Sequence, residues 1–183
     1  MSGIRIIPRD EFKTTNWSGG TTTELFIFPE DASYSERRFS VRISTASVDT
    51  DESVFTSLPG VKRFLTPLSS GFDLTVNGER VNLPNGSVLE FSGEDDVICR
   101  GRGRDLNLML KGVPGEMRLA EGDFPIASGV RAFVFAPEPC AVSYCCESGL
   151  RCTSALLMQH DFAELEEGNY HSSGRLVLFL FAV

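Results

Sequence analysis

Apolar and polar residues alternate with a period of two along much of the chain. The clearest cases are residues 39–44 (Phe-Ser-Val-Arg-Ile-Ser) and 72–76 (Phe-Asp-Leu-Thr-Val), while residues 130–135 are rich in β-formers. Successive side chains of a strand point to opposite faces, so this pattern predicts half-buried β-strands. Asn77-Gly78 separates residues 72–76 from 79–83, and that dipeptide suits the tight turn of a β-hairpin. Asn85-Gly86 repeats the signal before residues 87–91. Gly and Pro punctuate the rest at short intervals, as at Pro59-Gly60, Gly71, Gly93, Gly101, Gly103 and Pro114-Gly115. No stretch holds the 3.6-residue apolar period for three turns. Residues 161–167 predict one or two helical turns with Asp161 as N-cap. The expected fold is all-β, a sandwich or barrel of many short antiparallel strands.

Two stretches share a layout. Residues 83–91 and 157–165 each run from apolar residues through a turn into a short alternating strand. Upstream, residues 64–76 and 133–144 both read as strand, Pro-containing turn, strand. Two fused β-barrel halves divided near Pro114-Gly115 would produce this echo, although all-β sequences share such features without common descent.

Composition narrows the class. Apolar residues make up 42% and charged residues 23%, which is ordinary for a packed globular protein. The 17 Lys+Arg against 25 Asp+Glu give a net charge of −8. That balance argues against nucleic acid and against an anionic membrane surface as partners. Arg100-Gly-Arg-Gly-Arg104 is basic locally and reads as a solvated connection. The N-terminus has no apolar signal region, and the longest apolar run, residues 176–183, is too short to span a bilayer. A cytoplasmic location is expected.

Five cysteines, Cys99, Cys140, Cys145, Cys146 and Cys152, lack CxxC spacing, and the chain has only His160 and His171 as imidazole donors. Neighbours such as Cys145 and Cys146 point to opposite faces of a strand and do not chelate one ion. Five reduced thiols are expected, with no metal site and no cofactor. His160-Asp161 lacks a nucleophile elbow, and His171 lies in residues 169–174, which read as a loop.

Three strands carry the candidate chemistry. In Trp17-Ser-Gly-Gly-Thr-Thr-Thr-Glu24, a Gly-Gly turn leads into a Thr-rich strand with Thr22 and Glu24 on one face. Trp17 and Glu24 would stand at the mouth or wall of a pocket, or Glu24 would be a solvated residue of an edge strand. Arg42, Ser44 and Ala46 share a face, which leaves room beside a guanidinium whose planar fork suits a carboxylate. Arg63 enters a second strand. Along residues 105–110, Leu106, Leu108 and Leu110 take one face, and Asp105, Asn107 and Met109 the other, as in a wall between core and cavity. The alternative is that Arg42 or Arg63 pairs with Glu24 or Asp105 inside the barrel.

These segments resemble the HutD/Ves family of bacterial proteins. The resemblance lies in Trp17-Ser-Gly-Gly-Thr-Thr-Thr-Glu24, Arg42-x-Ser44-x-Ala46, Phe55-x-x-Leu58-Pro59-Gly60-x-x-Arg63, Phe91-x-Gly93 and Asp105-Leu-Asn107-Leu-Met109, over roughly residues 10–115. It implies a bicupin, two fused cupin-like β-barrels with very little helix, spanning residues 1–115 and 116–183. It also implies a cytoplasmic protein associated with histidine utilisation. Family members often have an Asn-Gly-Gly-Gly-like segment after the Trp, Thr-Arg-Glu where this chain has Thr22-Thr23-Glu24, and Phe at the position of Leu106. Cupin enzymes bind metal through clustered histidines, which this chain lacks.

The resulting expectation is a non-catalytic protein that binds a small carboxylate such as formylglutamate or urocanate and regulates or buffers histidine utilisation. Ligand-binding residues are Trp17, Thr22, Glu24, Arg42, Ser44, Arg63, Asp105 and Asn107, and a homodimer is admitted. One alternative is a metal-independent hydrolase or isomerase with Glu24 or Asp105 as general base. The other is an interaction protein whose barrel is filled by side chains.

Overall fold

The computed structural model describes residues 3–145 and 152–183, with side chains left out at Cys145 and Cys152. It is all-β apart from a 3-10 turn at Arg9–Glu11. Two compact units form: Phe12–Val113, and Pro114–Val183 joined by the N-terminal segment up to Glu11.

The first unit carries two antiparallel sheets. The larger orders β2 (Lys13–Trp17), β3 (Gly20–Phe28), β4 (Val41–Val48), β11 (Gly103–Lys111), β6 (Val61–Pro67) and β9 (Leu89–Ser92). The smaller orders β5 (Glu52–Val54), β10 (Val97–Arg100), β7 (Phe72–Val76) and β8 (Glu79–Leu83). β7 and β8 form the predicted hairpin: Asn77 and Gly78 both adopt positive φ, at 50° and 86°. The second Asn-Gly differs from expectation. It links β8 of one sheet to β9 of the other, because Phe91 pairs across from Arg63 on β6 rather than folding back on β8. The basic stretch at residues 100–104 is the corner between β10 and β11. There Arg100 meets Glu52 at 3.0 Å and Arg102 meets Asp51 at 2.8 Å, both pairs well exposed.

The second unit uses β12 (Gly115–Ile126), β13 (Arg131–Phe135), β14 (Cys140–Cys145), β15 (Cys152–Leu157), β16 (Phe162–Leu165) and β17 (Gly168–Phe181), with β1 (Ile4–Ile6) added to β16. Its pairing repeats that of the first unit. The sequence β4-β11-β6-β9 recurs as β12-β17-β13-β16, and β5-β10-β7-β8 recurs as β12-β17-β14-β15. The difference is continuity. β12 and β17 each run through both halves, bending at the register shift between Ala120 and Gly122, where Gly122 takes φ 73°. The echo between residues 83–91 and 157–165 therefore falls on equivalent places, the turn that carries the chain from β8 to β9 and from β15 to β16.

Three expectations about this unit change. Within residues 161–167, Phe162–Leu165 form β16 instead of helical turns. Asp161 accepts from the Met158 N–H in a tight turn, and the strand beyond it buries Phe162, Ala163 and Leu165 between β13 and β1. Residues 169–174, expected as a loop, lie in the first half of β17, where 169–172 pair with both β12 and β14. The N-terminal eleven residues, expected with the first barrel, belong with this unit because β1 extends its sheet at β16. Cys99 and Cys140 are buried free thiols; Cys146 lies outside the described residues, as do the side chains of Cys145 and Cys152. Among the described residues, no helix is long and apolar enough to cross a membrane.

Tyr170 fastens the N-terminal segment. Its buried hydroxyl lies 2.6 Å from the Gly3 carbonyl and 2.9 Å from that of Glu166. Tyr170→Phe leaves a carbonyl without its donor and is expected to cost about 1–3 kcal/mol. Urea unfolding reads the loss, and faster amide exchange in residues 4–6 would locate it.

Candidate functional site

The register across the large sheet of the first unit builds the site in rows. Because directly opposed residues share a face, Arg42 on β4, Met109 on β11 and Arg63 on β6 stand side by side, flanked by Ile27 on β3 and Phe91 on β9. The next row holds Glu24, Ser44 and Asn107, and the third holds Thr22, Ala46 and Asp105. Leu106 and Leu108 take the opposite face and are fully buried. The predicted division of residues 105–110 into two faces is the one observed.

A bulge between Glu24 and Phe26 matters here. The extra residue, Leu25, lets Glu24 and Ile27 both occupy the Arg42 face. Without it, period-two alternation would turn Ile27 away and bring the larger Phe26 in.

The rows line a cleft of about 300 Å³. Trp17, Thr22, Arg42, Ser44, Arg63, Asp105 and Asn107 all face it. Glu24 alone of the expected residues does not line it. Instead Arg42 Nε donates to Glu24 Oε2 at 2.8 Å, while Arg42 Nη1 donates to Ser44 Oγ at 3.2 Å and the guanidinium lies 4.1 Å from the Tyr34 ring centroid. Trp17, 40% exposed, stands on the rim. Gly19 permits this, since a Cβ there would meet the indole at 2.0 Å. Tyr34, Phe55, Thr56 and Met109 also line the cleft but were not among the expected site residues. Met109 and Phe55 sit inside recognisable segments; Tyr34 lies between β3 and β4 where no sequence pattern marks it.

The two arginines differ in kind. Arg42 is an internally paired cation. Arg63 is 6% exposed, rests 4.9 and 5.0 Å from the ring centroids of Phe55 and Phe91, and donates one long bond, 3.4 Å, to the Thr56 carbonyl. Its Nε is buried with no hydrogen-bond partner, and no carboxylate lies within 4 Å of it among the described residues. Burial lowers its pKa to about 10. A buried donor without an acceptor costs free energy that a ligand oxygen would recover.

Asp105 is the other unusual group. Asn107 Nδ2 donates to it at 2.6 Å, and the Ala46 N–H donates as well. Burial nevertheless pushes its carboxyl up to about 7, against the pull of the Arg63 charge and these two donors. Nearby Cys99 is pushed up to about 12, chiefly by burial, and stays a neutral thiol. One carboxylate beside a guanidinium does not suit a divalent cation, and no cluster of three His, Cys, Asp or Glu occurs among the described residues.

The fold and cleft define a cupin-like β protein whose first unit opens a polar, arginine-bearing cavity between two sheets. The chain belongs to the HutD family, whose model matches residues 9–171. That match runs through most of the second unit, well beyond the motifs of residues 10–115. HutD from Pseudomonas fluorescens SBW25, solved in a formate condition, has a TM-score of 0.78 at 23% identity, covering 98% of each chain. The conserved protein of unknown function PA5104 from Pseudomonas aeruginosa PAO1 gives 0.76 at 21% identity, covering 99% of this chain and 98% of that one. YlbA from E. coli gives 0.66 at 9% identity, covering 100% and 91%. No curated relative matches the chain.

The Asp105 carboxyl titrates higher in the folded protein than its ordinary value of 3.8. Its stabilising contribution is therefore complete below about 3.8 and is lost as pH rises through about 7. Urea unfolding across that window should show the wild-type chain losing stability relative to Asp105→Asn, and parallel curves would refute the assignment.

Proposed function

We propose that this protein binds a small carboxylate metabolite, formylglutamate- or urocanate-like, in the cleft of its first unit. In this reading it regulates or buffers histidine utilisation in the cytoplasm. The observation that carries the proposal is Arg63, a buried guanidinium with an unpartnered Nε, in the wall of a cavity large enough for a small metabolite. Membership of the HutD family supports the metabolic setting. Charge-assisted bonds from a guanidinium to a carboxylate are the strong ones, and the aromatic rings beside Arg63 hold its plane without using its donors. Asn107 and Ser44 stand beside the arginine row and offer polar groups to an amide or formyl oxygen. Trp17 on the rim covers an apolar portion of the bound molecule.

The filled-barrel reading loses support from the open cleft. Arg42 is the structural member of the pair, holding Glu24, and Arg63 is the ligand anchor. Among the described residues that line the cleft Asp105 is the acidic one and so the candidate general base, with Glu24 held by Arg42, and turnover of the same metabolites would move the protein into the enzyme class.

Isothermal titration with N-formylglutamate, urocanate and histidine, with product analysis, tests the proposal. Saturable binding of a carboxylate without product formation is expected. Arg63→Met keeps an apolar stem against Phe55 and Phe91 and should weaken binding at least about tenfold, the worth of a charged hydrogen bond, with the melting curve preserved. Arg42→Met should instead lower the melting temperature, because it strands Glu24. Failure of all three compounds to bind would refute the proposal.

A further inference from the structure

Four charged side chains stand on the sheet face that borders the cleft, and their charges balance. Arg42 on β4 and Glu24 on β3 neutralise each other in contact, 2.8 Å apart. Arg63 on β6 and Asp105 on β11 carry the remaining positive and negative charge, both buried, with no contact ion pair between them among the described residues. The other titratable neighbours are Tyr34, which lies near Arg63 and against Arg42, and Cys99 on β10, which stays a neutral thiol.

A carboxylate that settles on Arg63 upsets this balance. The cleft would then hold two negative charges against one free positive charge, on side chains that are themselves buried, where an uncompensated charge is costly. Asp105 is the group able to restore neutrality. It is the acidic residue that lines the cavity, whereas Glu24 is held by Arg42.

We propose that the site binds its carboxylate together with one proton, which Asp105 takes up. This rests on the carboxylate-binding reading above. The covalent change is one O–H bond formed on the Asp105 carboxylate, the proton coming from solvent. The protonated Asp105 carboxyl is then a donor beside the ligand instead of a second anion, so the same residue that opposes an anion at high pH accommodates it at low pH. Burial already brings the Asp105 carboxyl close to neutral pH, so the proton is available without strong acid.

The charge count also separates ligand classes. A zwitterion would bring its own positive charge to Asp105 and would need no proton.

The test is calorimetric titration of the full chain with sodium formate, which stays ionised across about pH 5.5–8.5, in buffers of differing ionisation enthalpy. Formate affinity is expected to fall about tenfold per pH unit above about 7, with uptake approaching one proton per formate. Asp105→Asn should bind formate with a pH-independent affinity and no uptake. Carboxyl-carbon NMR of the wild-type protein reads the same proton without a variant, since formate must move the Asp105 midpoint upward. Formate binding with no uptake and no pH dependence overturns the proposal and leaves the carboxylate reading standing. Uptake that persists in Asp105→Asn overturns it too, as does glycine binding more tightly than formate without uptake. No saturable binding of formate, N-formylglutamate or urocanate at any pH removes the carboxylate reading, and the proposal with it.

Discussion

A guanidinium buried on the inner face of a β-sheet needs an acceptor, and how each arginine finds one organises this cleft. Arg42 reaches across to Glu24 and back to Ser44, and it lies against Tyr34. That arrangement depends on the bulge at Leu25, which places Glu24 within reach while Ile27 still packs inward. Arg63 has aromatic rings and a single long backbone bond, so its Nε remains without an acceptor. One arginine thus completes the wall, and the other leaves it chemically open.

The repeat in strand order explains how such a wall can exist in a chain this short. Each unit uses the same pairing scheme, yet the first divides at Gly101-Arg102-Gly103 into β10 and β11, and at residues 49–51 into β4 and β5. In the second unit the corresponding strands, β12 and β17, run on through a bend. Breaking the strands lets two sheets separate at their corner and leaves room between them. The Phe124–Tyr170 stack and the apolar cluster around Ala132, Val134 and Leu176 show the second unit packing its own interior instead.

Much of the fold was legible because alternation and turn chemistry are local. Period-two patterning marked residues 72–76 and 105–110, and Asn77-Gly78 marked the hairpin. The errors fall where a local signal had two readings. Asp161 looks like an N-cap, and it does bond a nearby N–H, but the strand pairing on both sides of β16 outweighs one or two helical turns. Polar residues 169–174 resemble a loop, whereas they alternate between exposed and buried positions along β17. Asn85-Gly86 supports a turn, and only the partner of the next strand decides whether it closes a hairpin.

The sequence by itself determined the all-β class, the faces of the strands and the residue types that line the cleft, since a strand's two faces follow from its period. It also carried the family motifs. Tertiary structure decided the pairing: that Glu24 belongs to Arg42, that Arg63 is left with an unpartnered donor, and that Asp105 shares the cavity without touching it. It also assigned the N-terminal strand to the second unit. These outcomes depend on distances between strands remote in sequence and on how much water each charge loses. Neither quantity is encoded in any one segment of the chain.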